Sequence, residues 1–511
     1  MATAIAKTAT ILGVNAQMIE VEADVHMGLG AFNIVGLPDG AIKESKDRIQ
    51  SALKNACGGV PIRRVIINLA PADIKKTGTG FDLPIALAIL EAYEKLPEKS
   101  LHSHFIIGEL SLEGKIRPVP GILAIAMTAQ KNGIEKLIVA HENAAQASLV
   151  EGLEIYSAAH ISEVFAHFAT NEPLSRCKSG TYKELTDNIS TDFDFADVKG
   201  QETAKRSLEI AAAGKHNVLF SGPPGSGKSM LAKRLPSILP FPTFEENLEA
   251  TKIHSIAGTL SNSYPLLPER PFRSPHYSVS GAGLIGGGTT PKPGEVSLAH
   301  HGVLFLDELP EFPRHMLDLL RQPLEDKNVT IARANMSLNF PSDFILLAAM
   351  NPCACGYLGD SNKECTCSAT AIIRYRSRIS GPLMDRIDLQ VEMPNLSYDE
   401  LNFSAKGENS AVIRDRVMVA REIQLARFHT STISYNANMS HHQVELYCGL
   451  SHEGHDLLAE ALKKYRLSGR AHDSILKMAR TIADLEQSVI IEPWHLAEAI
   501  NYRCLDKELN Y

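Results

Sequence analysis

The chain has 511 residues, a formal charge of −8, and 44% hydrophobic against 22% charged side chains, the fractions of a soluble globular protein with about three domains. The acidic total excludes a protein that coats nucleic acid indiscriminately, while leaving room for local basic surfaces. No stretch is apolar enough to span a bilayer, and Met1-Ala2-Thr3-Ala4-Ile5-Ala6-Lys7 lacks the charged-then-apolar pattern of a secretory leader, so no membrane association and a cytoplasmic location are expected.

Residues 1–170 alternate strand-like and helix-like stretches. Apolar spacing predicts a strand over 17–25, an amphipathic helix over 41–56 and a buried strand over 65–69, together an α/β domain. Lys75 and Lys76, like Arg63 and Arg64, are cations available for phosphate contacts, although each pair taken alone reads equally well as a solvated face. From 171 to 192 the chain is polar with little apolar periodicity, which predicts a linker.

The next domain, 193–395, opens with Asp197-Val198-Lys199-Gly200-Gln201, a segment expected near the adenine of a bound nucleotide. After an apolar run at 217–220, Gly222, Pro223, Pro224, Gly225, Ser226, Gly227, Lys228 and Ser229 complete a G-x-x-x-x-G-K-S pattern before a helix-like stretch from Met230. The glycines let backbone N–H groups curl around phosphate oxygens, Lys228 supplies a cation to the β- and γ-phosphates, and the Ser229 hydroxyl faces Mg²⁺. ATP and Mg²⁺ are therefore the expected ligands.

About 80 residues downstream, a common distance within one nucleotide-binding domain, the run 302–306 reads as a buried strand ending in Asp307 and Glu308. Asp307 is suited to hold Mg²⁺ and Glu308 to polarise the attacking water. A third strand, 344–350, ends in Asn351, whose amide can orient the same water. In a doubly wound sheet these sites meet at the carboxyl ends of parallel strands.

Cys353, Cys355, Cys365 and Cys367 form two C-x-C units around a short polar loop, an insertion over 353–367. Four thiolates so close suit a tetrahedral Zn²⁺, and a closed four-ligand set makes that zinc structural. Residues 396–511 are helical almost throughout, over 411–428, 452–465, 473–487 and 493–503, which predicts an all-helical lid.

These strings, with Arg270-Pro271-Phe272-Arg273-Ser274-Pro275-His276, Asn351-Pro352-Cys353 and the run from Arg374 through Arg376, Arg378 and Asp385-Arg386-Ile387-Asp388 to Leu389, resemble the magnesium-chelatase-like AAA+ ATPases and, within them, the ComM/YifB-like group. The similarity covers nearly the whole chain. It implies a homo-hexameric ring with ATP between subunits, so that a neighbour supplies an arginine to the γ-phosphate. Arg386 matches that finger position, Arg376 and Arg378 are secondary candidates, and Arg470 matches the second sensor. A planar guanidinium suits the role because it pairs with two phosphoryl oxygens. Arg333, in an alternating stretch at 329–340 with its turn near Ala334-Asn335, matches the basic residue with which related helicases contact DNA, and 277–293 resembles the clade's helix-2 insertion.

The N-terminal domain is similar to the proteolytic domain of Lon. Gly80 stands where the nucleophilic serine belongs and Leu123 where the lysine base belongs, so acyl chemistry has no means of starting. The resemblance implies an ATP-driven DNA motor, a helicase for branch migration in natural transformation and homologous recombination. Its expected partners are single-stranded and branched double-stranded DNA and recombination proteins. The alternative is an AAA+ protein-remodelling or metal-chelatase-type motor with no DNA substrate.

Overall fold

The computed structural model describes residues 3–28, 30–59, 63–170, 172–177, 193–260, 265–288, 291–333, 336–360, 363–397, 400, 407–429, 431 and 433–503. These form two compact units. The first comprises the described residues of Met1–Asn188, Leu248–Pro268 and Ala334–Asn339; the second comprises those of Ile189–Asn247, Glu269–Arg333 and Phe340–Tyr511.

The first unit is built from β1 (Ala4–Leu12), β2 (Asn15–His26), β3 (Ala31–Val35), β4 (Arg64–Ala70), β5 (His104–Ile106), a small hairpin of β6 (Glu109–Leu110) and β7 (Ile116–Arg117), β8 (Lys136–Ala140), β9 (Glu154–Ala158) and β10 (Ser175–Cys177). Apart from the hairpin they make one sheet, ordered β10-β9-β8-β5-β1-β2-β4-β3. The period of two decides which face is inside: Ile19, Val21, Ala23 and Val25 of β2 are buried, and the intervening acids turn away. Helix Gly40–Ala56 starts where the Asp39 carboxylate accepts the Ile42 N–H at 2.9 Å, and it buries Ile42, Ile49, Ala52 and Leu53. Part of the expected linker belongs to this sheet, since Ser175–Cys177 pairs antiparallel with β9; residues 171 and 178–192 lie outside the described ones. Leu248–Pro268 also joins this unit, where the Gly121 N–H donates to the Ser255 carbonyl at 3.1 Å.

In the second unit β11 (Val218–Ser221), β12 (Phe272–Arg273), β15 (Val303–Leu306), β18 (Ile345–Met350) and β19 (Leu389–Glu392) form a wholly parallel sheet ordered β12-β15-β18-β11-β19. A ribbon of β13 (Gly286–Gly287) with β14 (Lys292–Pro293) stands outside it, and the unit also carries β16 (Asn328–Arg333); Met336–Asn339 of β17 (Met336–Pro341) belongs to the first unit. Every residue of β11, β15 and β18 is buried, as a parallel sheet covered on both faces requires. Helices Ser410–Arg427, His452–Tyr465, Gly469–Leu485 and Pro493–Asn501 match the predicted helices, yet they do not make a separate core. Val417, Ile475 and Leu496 share one apolar cluster with Phe220, Leu347 and Val391 of the sheet.

Candidate active site

The phosphate loop leaves the carboxyl end of β11. Gly225 at φ +84° and Gly227 at φ +91° occupy the left-handed region, which allows the tight curl before helix Lys228–Ala232 begins. The Lys228 ammonium is folded back over the loop, donating to the carbonyls of Gly222 at 2.7 Å and Pro223 at 2.8 Å, with the Asn351 Oδ1 at 3.5 Å. Burial holds this ammonium below its ordinary pKa, with Asp307 acting in the opposite direction. Ser229 Oγ donates to Asp307 Oδ2 at 2.5 Å, so hydroxyl and carboxylate, both oxygen ligands suited to a hard cation, already converge on one point. Glu308 follows at φ +52°, a conformation costing a non-glycine residue roughly 1–3 kcal/mol, and its side chain is exposed. Gln201 caps the site from the opening segment, donating to the carbonyls of Ser226 at 3.1 Å and Pro394 at 2.8 Å.

The candidate arginines separate by sheet edge. Arg376 donates to the Pro352 carbonyl at 3.1 Å and lines a cleft with Gly222 and Pro223. Arg378 donates to the Pro310 carbonyl and to Glu311 at 3.0 Å. Both therefore lie toward the phosphate-loop edge. Arg386 precedes β19, which runs parallel to β11 in the register Val218↔Leu389 to Ser221↔Glu392. It therefore sits at the amino edge, beyond a strand that is roughly 10 Å long. There its Nη2 donates to Glu325 Oε2 and its Nη1 to the Pro382 carbonyl at 2.6 Å, and Arg470 Nη2 reaches Glu325 Oε1 at 3.3 Å. Asn217, just before β11, donates to the Arg386 carbonyl at 2.9 Å and accepts the Leu346 N–H at 2.8 Å. Asp388 accepts from Ser474 at 2.5 Å and lies 3.1 Å from His216 Nδ1. Burial pushes Asp388 up, but the bonds from His216 and Ser474 outweigh it and hold the carboxyl at about 2.

The sequence matches the family described as magnesium chelatase, subunit ChlI, over 194–401, with the companion description subunit ChlI of Mg-chelatase over 21–143 and the C-terminal description over 407–503. It is 44% identical over 510 residues to Competence protein ComM of Haemophilus influenzae, covering 99% of this chain and 98% of that one. The chain belongs to the magnesium-chelatase-like AAA+ family, in its ComM/YifB-like branch. Within this family it is also 43% identical over 512 residues to the uncharacterized protein YifB of Escherichia coli, covering 100% and 98% of the two chains. A partial match, 24% over 168 residues, covers 30% of this chain and 21% of Lon protease from Brevibacillus choshinensis.

Beside the family's phosphate loop, the cysteine insertion closes on itself. The sulfurs of Cys353, Cys355 and Cys365 are 3.3–3.5 Å apart, and all four, with Cys367, lie within 4.8 Å of one another. Zinc–sulfur bonds of about 2.3 Å set tetrahedral sulfurs roughly 3.8 Å apart, so the residues fit that ion. Backbone N–H groups of Tyr357 and Thr366 pull the Cys355 thiol down, while its hydrogen bonds to Cys355 and Cys353 push the Cys365 thiol up, so the crowded sulfurs share one proton-poor position and leave the others protonated until a cation joins them. Gly356, at φ +88°, is required here, because a Cβ would stand 2.9 Å from Pro224 of the phosphate loop.

In the first unit both positions that the Lon resemblance singles out are closely packed. A Cβ on Gly80 would meet Ile107 at 3.1 Å and Val119 at 3.2 Å, and Leu123 is fully buried. Lys76 corrects the expectation of a phosphate contact: it is buried, its ammonium donating to the Pro71 carbonyl, while Lys75 is exposed. Arg333 closes strand β16; the expected turn at Ala334-Asn335 lies outside the described residues. The segment 277–293 contains helix Gly281–Ile285 and the β13–β14 ribbon, with 289–290 outside the described residues. Sequence reasoning assigned no role to Glu325, Asn217 or Asp388. Asp388 stood inside the quoted Asp385-Arg386-Ile387-Asp388 string; Glu325 carried no local signal, because its partners lie 61 and 145 residues away.

Proposed function

We propose that the protein is an ATP-driven hexameric DNA motor, a helicase promoting branch migration in natural transformation and homologous recombination. The observation that carries this reading is the separation of Lys228, Ser229, Asp307, Glu308 and Asn351 on one sheet edge from Arg386 and Arg470 on the other. One copy supplies the nucleotide cradle and the next supplies the cations.

In this reading the loop N–H groups and Lys228 hold the ATP phosphates, and Ser229 and Asp307 would hold Mg²⁺, whose charge would offset that of the phosphates. Glu308 takes the proton of the attacking water, whose oxygen Asn351 orients. The water oxygen bonds to the γ-phosphorus as the bridging P–O bond to the β-phosphate breaks, leaving ADP and phosphate. Arg386 and Arg470 of an adjoining copy balance the equatorial oxygens. A zinc held by the four cysteines would be structural and would buttress the loop through Gly356. Arg333, with exposed Lys75, meets the DNA backbone, where repetition around a ring offsets the acidic total. The full-length similarity to a protein named for competence supports DNA over other substrates.

The test is ATP-dependent displacement of a labelled strand from forked and three-stranded DNA, comparing wild type with Glu308→Gln. Displacement by wild type alone, with turnover of the variant lower by roughly 10²–10⁴-fold and ATP retained, is expected. ATP hydrolysis without displacement or DNA stimulation would favour a protein-remodelling or chelatase-type motor instead.

A further inference from the structure

Arg386 and Arg470 share one acceptor. Glu325, on helix Arg321–Asp326, gives Oε2 to Arg386 and Oε1 to Arg470, the two-oxygen arrangement that a phosphoryl group would present to the same pair. The Arg386 side chain is only 13% exposed, whereas those of Glu325 and Arg470 are 53% and 48% exposed. The fit is incomplete on the arginine side: Arg386 Nε is buried without a hydrogen-bond partner, and a guanidinium has five donors to satisfy. Three phosphoryl oxygens answer more of them than one carboxylate oxygen and the Pro382 carbonyl do. The backbone beneath is fixed independently, through Asn217 on the Arg386 carbonyl and through Asp388 on Ser474 of the helix that carries Arg470. Removing Glu325 therefore frees the guanidinium groups without releasing their backbones.

We propose that Glu325 is a phosphate surrogate that holds Arg386 and Arg470 on their own chain until the nucleotide of an adjoining copy displaces it. This rests on the reading of Arg386 as a residue acting between copies. The latch works through the two arginines and touches no substrate. Because Glu325 is half exposed, the pairing is weak and exchangeable, in the class of surface ion pairs. Its carboxylate competes with the incoming phosphate, so it sets how readily copies engage rather than how fast an engaged site turns over.

The experiment measures steady-state ATP hydrolysis against protein concentration for wild type, Glu325→Gln, Glu325→Ala and Arg386→Ala. Loss of the latch is expected to lower the protein concentration at half-maximal turnover roughly two- to five-fold in both Glu325 variants, the scale of an exposed ion pair, with the plateau rate unchanged. A structural or aligning role for Glu325 moves both quantities the other way, and that result overturns the proposal, as does a curve superimposable on wild type. Arg386→Ala separates the two levels: wild-type turnover in that variant removes the reading of Arg386 between copies, while loss of turnover there with unchanged Glu325 variants removes the latch alone.

Discussion

Along the carboxyl edge of the five-stranded sheet the functional side chains answer one another directly, Lys228 over its own loop and Ser229 on Asp307. Along the amino edge the two arginines are answered by a carboxylate, Glu325, which has no place in the chemistry of ATP. The first edge is complete in one chain; the second is occupied but awaits something else. Under the proposed function, a hydrolytic site divided in this way makes turnover a property of neighbouring copies.

The sharpest way to break that comparison is to mix variants. Arg386→Ala is expected to lower ATP turnover by on the order of 10³-fold or more while leaving nucleotide binding intact, the scale of a lost arginine finger. Lys228→Ala is equally inactive alone, and mixing the two inactive proteins restores measurable hydrolysis, because the intact loop of one meets the intact arginine of the other. Absence of recovery in a mixture shown by sizing to co-assemble would mean that both edges serve one chain.

A smaller effect probes the amino edge by itself. Asp388 is held at about 2 in the folded chain, below the ordinary aspartate value near 3.9. A depressed carboxyl contributes stability that is present above the unfolded value and is lost as pH falls from about 4 toward 2. That contribution is roughly 2–3 kcal/mol. Asp388→Asn is therefore expected to lower stability near pH 7 by this amount and to flatten the loss between pH 4 and 2, as followed by urea unfolding at each pH. An unchanged acid limb would show that other carboxylates control it, such as Asp343, which the ammonium groups of Lys215 and Lys327 hold at about 2 against its burial.

The smallest effect concerns the cysteine insertion at the other edge. Cys365→Ser is expected to abolish stoichiometric zinc in purified protein and to weaken ATP binding modestly, because the loop that packs Gly356 on Pro224 loses its tether. Zinc content equal to wild type would end the metal assignment.

Legibility in the sequence follows the same division. The carboxyl edge was readable because each of its residues sits at the end of a strand or within a contiguous motif: glycines at positive φ, a lysine, and two acids after four buried apolar residues. Helix positions such as 41–56 and 452–465 were likewise dictated by local periodicity. The amino edge was half readable. Arg386 and Arg470 stand in recognisable motifs, but their common partner does not, since a glutamate in a six-residue helix gives no sign of two cations brought from distant segments. Lys76 failed for a related reason: adjacent lysines look alike in sequence, and only the packed loop decides that one reaches solvent and the other the Pro71 carbonyl. The polar stretch around Ser175 was read as linker because three residues are too few to show a period.

Asn217 gives the sheet a mechanical property. One end of β11 carries the phosphate loop, and at the other a single amide grips both the Arg386 carbonyl and the Leu346 N–H. A four-residue extended strand with neighbours on both sides resists shortening, so it links the loop and the amide stiffly, as a rod does. In the proposed ring, that rod would gear the state of a chain's own nucleotide pocket to the aim of the Arg386 it extends to the next.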